Sequence, residues 1–206
     1  MALIKLNNQG VKNATAFGSI TGLGSMTFIK KLTASSSATL SFVDGASGVV
    51  LDNTYKEYLF TFKNIHPATD NAELQFQGNA AGGSGYNETI TSTFFLAQHA
   101  EDGSYASLEY SAGRDLAQGT GFQFLSVGVG NDNDQNVGGT LHLFNPSSTT
   151  FVKHFISTTQ SSQGSNYSVN SFSAGYFNTT SAIDEIQFKM SSGNIDAGDI
   201  CLYGIA

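Results

Sequence analysis

Tyr55-Lys-Glu-Tyr-Leu-Phe-Thr-Phe-Lys63 is the stretch on which the fold turns. Tyr58, Phe60 and Phe62 alternate with Leu59 and Thr61, the period of two that an extended strand imposes on its faces. His66-Pro67 predicts the strand's end. Working outward, the same period recurs between short turn clusters. On the N-terminal side lie Met26–Leu32 and Ala38–Asp44, the latter followed by Asp44-Gly45 and Ser47-Gly48 turn signals. On the C-terminal side Glu73–Gln77 sets Leu74 and Phe76 against Glu73, Gln75 and Gln77. Further strands are expected at Tyr86–Ala97, Ser104–Tyr110, Phe122–Val129, Thr140–Asn145, Phe151–Thr158, Tyr167–Asn178, Ile183–Ser191 and Asp199–Ile205. The stretches 78–85, 130–139 and 159–166 read as loops. Nowhere does a 3.6-residue period hold for three turns. The expected fold is all-β: an antiparallel β-sandwich of about twelve strands, jelly-roll-like. Residues 1–25, punctuated by Gly10, Gly18, Gly22 and Gly24, are expected to form an extended N-terminal arm. Residues 26–206 are expected to form one sandwich body.

Composition narrows the function classes. The chain has 206 residues, of which only 12% are charged, while Ser, Thr, Asn and Gln together make up about a third. The surface is therefore expected to be polar but neutral. Sixteen Phe and no Trp suit a Phe-filled core, and 40% hydrophobic content argues against a disordered chain. The net charge of −7 is uneven. Residues 1–43 hold Lys5, Lys12, Lys30 and Lys31 and no acid, whereas residues 44–206 hold 5 basic and 16 acidic side chains. The acidic body disfavours nucleic acid as a partner. The four lysines are candidate docking residues for an acidic partner, set against the plainer reading of a solvated leader. No run of about 18 apolar residues predicts a membrane span, and the opening lacks the apolar stretch of a signal peptide. The single cysteine, Cys201, excludes an intrachain disulfide and is expected to be a buried thiol.

Catalytic motifs are missing: no Gly-x-Ser-x-Gly, no His-Glu-x-x-His and no P-loop. No catalytic residue is predicted. His99 and Glu101 with a strand histidine could make a metal site, but the favoured reading is of ordinary strand and loop histidines. Asn131-Asp-Asn-Asp-Gln-Asn136 opens like a calcium loop and then departs from it, with Val137 where glycine is needed and Leu143 where the bidentate glutamate is needed. Asp132 and Asp134 remain candidate ligands for Ca²⁺, the one cofactor considered; a solvated Asn/Asp turn is the competing reading. Tyr86, Tyr167 and Asn166 lie near expected loops and are candidate glycan contacts. Paired carboxylates for glycoside cleavage have little support, because Glu101-Asp102 and Asp184-Glu185 are adjacent and would point to opposite faces.

Glu57-Tyr-Leu-Phe-Thr-Phe-Lys-Asn-Ile-His-Pro-Ala-Thr-Asp-Asn-Ala-Glu-Leu-Gln-Phe-Gln77, Gly130–Asn136, Leu141–Phe151, Tyr176–Ile183 and Met190–Gly198 resemble virion structural proteins of marine tailed phages, cyanophages especially. The resemblance spans most of residues 44–206. It implies a non-enzymatic particle component made in the host cytoplasm and located in the virion: a capsid decoration, fibre or appendage protein. By the same analogy its partners are other virion proteins, a homotrimer is expected, and a host glycan is an alternative ligand at a fibre tip. Neither nucleic acid nor membrane is implied.

Overall fold

The computed structural model describes residues 25–206, all of it strand and turn with no helix. Lys5, Lys12 and nearly all of the expected arm lie outside the described residues. Thirteen strands follow in order: β1 Met26–Ser37, β2 Leu40–Val43, β3 Glu57–Pro67, β4 Leu74–Ala80, β5 Ile90–Ala100, β6 Ala106–Tyr110 and β7 Ala117–Gly119. They continue as β8 Gln123–Phe124, β9 Val137–Phe144, β10 Lys153–Gln163, β11 Tyr167–Phe177, β12 Ile183–Met190 and β13 Ile195–Ile205. Two antiparallel sheets result. The larger has nine strands in the order β1-β13-β3-β9-β10-β11-β5-β6, with β7 also on β5, and the smaller runs β2-β12-β4-β8. Successive strands β1 to β4 step back and forth between the sheets, and β12 and β13 return between them. That interleaving is the jelly-roll pattern. β5–β7 and β10–β11 are additions that widen one sheet only.

The sandwich closes because Phe side chains from both sheets interlock. Phe188 of β12 meets Phe60 and Phe62 of β3 edge-on, with ring centroids 5.3 and 5.4 Å apart. Phe76 of β4 meets Phe155 of β10 at 5.0 Å and Phe177 of β11 at 6.0 Å. All six are buried. A smaller cluster of Phe94, Leu96, Val127 and Val169 sits under the widened part of the large sheet. Tyr58, fully buried, has its phenol pushed up to about 12, chiefly by desolvation, and donates to Asp52 O at 3.0 Å.

Four elements depart from the expected pattern for physical reasons. His66-Pro67 ends β3 but lies within it; the pairing with β13 shifts register twice there, and these bulges accommodate the proline. In β4 every residue is buried, including Gln75, Gln77 and Asn79: the 120–121 segment closes over Gln77, β8 flanks Gln75 and Gly83 lies against Asn79. Gln77 satisfies its amide there by donating to Glu88 O (3.0 Å), Thr120 O (3.3 Å) and Gly121 O (2.8 Å). Phe122–Val129 is mostly irregular, with only Gln123–Phe124 in ladder pairing. Residues 159–163 are strand, not loop. Thr159 and Ser161 face inward on β10 and donate to the carbonyls of Leu125 and Val127, so small hydroxyls do the work of a polar seam.

Candidate functional site

The hairpin joining β10 to β11 turns at residues 164–166. Asn166 takes a left-handed conformation (φ 63°), which asparagine tolerates better than most residues. It donates its N–H to Gln163 O at 2.9 Å, and its carbonyl accepts from Glu101 N at 3.0 Å, tying the hairpin to the end of β5. Tyr167 follows, opposite Ala100 in register, with its ring edge-on to Tyr105 at 6.1 Å. Asp102 accepts from Ser104, and that hydrogen bonding holds its carboxyl below the usual carboxylate range. Glu101, Asp102, Ser104, Ser165, Asn166 and Tyr167 line a shallow depression of about 400 Å³. A second, about 380 Å³, shares Glu101 and Tyr167 and continues over Asn136, Gly138, Gln160 and Ser168. A third, about 440 Å³, shares Asn136 and continues to His66, Asp134 and Asp196. The three form a polar trough across one end of the sandwich.

The structure thus brings Asn166 and Tyr167 to the same end as the 131–136 loop. In that loop Gln135 N donates to Asp132 O at 2.8 Å, and His66 Nε2 lies 3.2 Å from the same carbonyl. Asp132 therefore builds the turn through its backbone, while Asp134 faces the trough. Among the described residues no three His, Cys, Asp or Glu side chains gather as a metal cluster.

Tyr86 lies at the other end. It belongs to the loop before β5, not to a strand, and the eleven residues of β5 separate the two ends by about 33 Å. Its hydroxyl donates to Glu185 Oε2 at 2.8 Å. Burial, then Glu185, push that phenol up. Tyr86 and Tyr167 cannot touch one small ligand. Lys30 and Lys31 stand on β1, an edge strand. Lys30 donates to Ser47 O (2.9 Å) and Lys31 pairs with Asp199 (3.2 Å), so both are engaged within the chain.

A second surface escaped the sequence reading. The outer face of the nine-stranded sheet, turned away from the core, carries a belt of apolar and aromatic side chains. Paired neighbours place Phe28, Tyr203 and Leu59 side by side, continuing to His142, Ile156 and Ala174. The adjoining row runs through Thr158, Phe172, Phe95 and Tyr110. Phe95 and Phe172 stack at 4.8 Å with planes 9° apart. Exposure is high for such groups: Phe28 57%, Ile156 52%, Phe95 41% and, beside them on β6, Leu108 74%. Glu57 Oε1 lies 2.5 Å from His142 Nδ1, at hydrogen-bond distance, and the imidazole also stacks on Phe144. No family model, curated protein or solved structure matches this chain.

Proposed function

We propose that this chain is a non-enzymatic structural subunit of a tailed-phage virion, a decoration, fibre or appendage protein whose β-sandwich body is built to assemble. The supporting observation is the uncovered aromatic face of the nine-stranded sheet. A solitary sandwich of this kind normally carries polar residues outward, and an extended apolar patch marks a contact surface. The resemblance noted in the sequence supplies the particle, and the leader containing Lys5 and Lys12 supplies an anchor for an acidic docking surface. Proteomic analysis of purified virions tests the reading: the chain is expected at fixed stoichiometry in intact particles. Its absence from particles, with presence only in the infected lysate, overturns it. Deleting residues 1–25 is expected to abolish attachment while the body stays folded.

The polar trough favours a second role alongside the first, recognition of a carbohydrate. Planar amides and hydroxyls from Asn136, Gln160, Asn166 and Ser168 border the Tyr167 ring, a mixture suited to sugar hydroxyls and a sugar's apolar face. Binding on a glycan array that is lost in Tyr167→Ala and kept in Tyr86→Ala supports this role. Loss in Tyr86→Ala instead refutes the location.

A further inference from the structure

We infer that a second copy of this chain covers the outer face of the nine-stranded sheet, in a face-to-face pairing centred on Ile156, Phe172 and Phe95. This deepens the reading of the chain as an assembly subunit, but it needs no virion to be true.

Eight strands from β1 to β6, spaced about 4.8 Å, span roughly 34 Å; the two rows described above and a third through Gln160, Asn170, Ala97 and Leu108, each about 6.7 Å wide, cover roughly 20 Å. The belt is therefore roughly 700 Å² in projection, close to the ~800 Å² that each partner contributes to a standard interface.

Charge chooses the occupant. From Ser25 onward the chain holds 16 acidic and 7 basic side chains, and most of the acids lie on loops and strand ends. A second copy is repelled by such regions. The belt is different. Its ionisable groups are largely paired within the chain, Glu57 with His142 and Lys31 with Asp199. His154 lies beside Tyr176, with rings 5.8 Å apart, and Lys63 stands opposite Asp199 in register. Near-neutral, with Thr61, Thr140 and Thr158 between its apolar groups, this is the surface where a like-charged copy approaches at least cost. A basic partner would instead be drawn to the acidic loops, away from the belt.

Symmetry then fixes the geometry. A patch that covers itself does so across a twofold axis, and two twisted antiparallel sheets stack about 10 Å apart with their strands offset by about 30°. The stacked Phe95–Phe172 rings and Ile156 would fill the new interior. Such pairing makes even-numbered assemblies and departs from the threefold expectation drawn by analogy.

Hydroxyl-radical footprinting of the full chain across a dilution series tests the inference, together with the dissociation constants of Ile156→Lys and Phe95→Asp. The expected result is concentration-dependent protection of Phe95, Ile156, Phe172 and Leu108, with Phe151, exposed in a loop outside the paired strands, unchanged. Each substitution is expected to weaken association about 100-fold or more, since it buries an unpaired charge, while the circular dichroism spectrum stays that of the parent. Uniform labelling at all concentrations overturns the inference. So does self-association that survives both substitutions in folded protein. Protection that needs an added polysaccharide or another virion protein assigns the face to that partner and equally overturns it. Footprinting requires no variant, so misfolding of either substitution leaves the test intact. A dimer absent from virions would sink the proposed function and leave this inference standing.

Discussion

Replacing Phe188 with alanine removes one of the rings that join the two sheets. Phe188 is fully buried. It lies 5.3 and 5.4 Å from Phe60 and Phe62 across the sandwich, and 6.2 and 6.3 Å from Phe42 and Phe76 within its own sheet. A buried Phe→Ala change costs about 3–5 kcal/mol from lost transfer energy and the cavity left behind. Edge-to-face pairs add about 0.5–1.5 kcal/mol each, so the upper end, ~5 kcal/mol, is expected here. A domain of this length loses about 2–4 °C of Tm per kcal/mol, giving a fall of about 10–20 °C. Urea unfolding followed by tyrosine fluorescence measures it; the midpoint should drop with little change in slope. Phe188→Leu should recover most of the loss. A cost below about 1.5 kcal/mol for Phe188→Ala would mean that the sheets do not close on this ring, and the packing described above would be refuted.

Other changes test other parts of the structure. Asp184 has a buried Oδ1 with no partner, and burial, then Glu185 and Asp44, push its carboxyl above the ordinary 3.8. A raised carboxyl favours the fold below pH 3.8, and that contribution is lost as pH rises through the folded value. Asp184→Asn should therefore stabilise the protein at pH 7 by about 1 kcal/mol, with the gain shrinking toward pH 3; thermal melts against pH decide, and a loss at pH 7 would count against the burial argument. Lys153 is fully buried, donates to Thr179 O at 3.0 Å, and is held below 10.5 chiefly by desolvation. Between its folded value and 10.5 the unfolded chain binds more protons, so stability should rise with pH in that window. In Lys153→Met that rise should vanish and stability at pH 7 should hold within about 1 kcal/mol; chemical denaturation at pH 7 and 10 checks both. Gly198 sits at φ +114°, where a Cβ would lie 2.4 Å from Asn64 O. Gly198→Ala should cost about 2 kcal/mol by straining the β3–β13 bulge, and a neutral melt would show the bulge can relax.

Strand positions were readable wherever apolar and polar residues alternate, as at Tyr58–Phe62 and Ile186–Met190. They were missed where the inward residues are hydroxyls, as at Thr159 and Ser161, because nothing local announces that a neighbouring segment will cover them. β4 shows the converse: Gln75 and Gln77 looked like a solvated face until β8 flanked Gln75 and 120–121 closed over Gln77. The outer belt did leave a local trace. Adjacent apolar pairs, Leu59-Phe60, Phe94-Phe95, Phe155-Ile156 and Tyr176-Phe177, must send one member outward on any strand. Only the sheet order shows that those outward members fall beside each other. Likewise Glu57 and His142 are 85 positions apart and meet diagonally across β3 and β9, a pairing that spacing alone does not reveal. The trough joins residues from three loops; Asn166 and Tyr167 are legible as residue types, whereas the distance along β5 that sets Tyr86 apart from them is not.

Whether the aromatic outer face is an interface is the point on which the account rests, and the mass of the full chain in solution tests it most directly. Sedimentation equilibrium at micromolar concentration is expected to give about 43 kDa, twice the 21.7 kDa chain. A mass that stays at one chain up to the highest soluble concentration would contradict it.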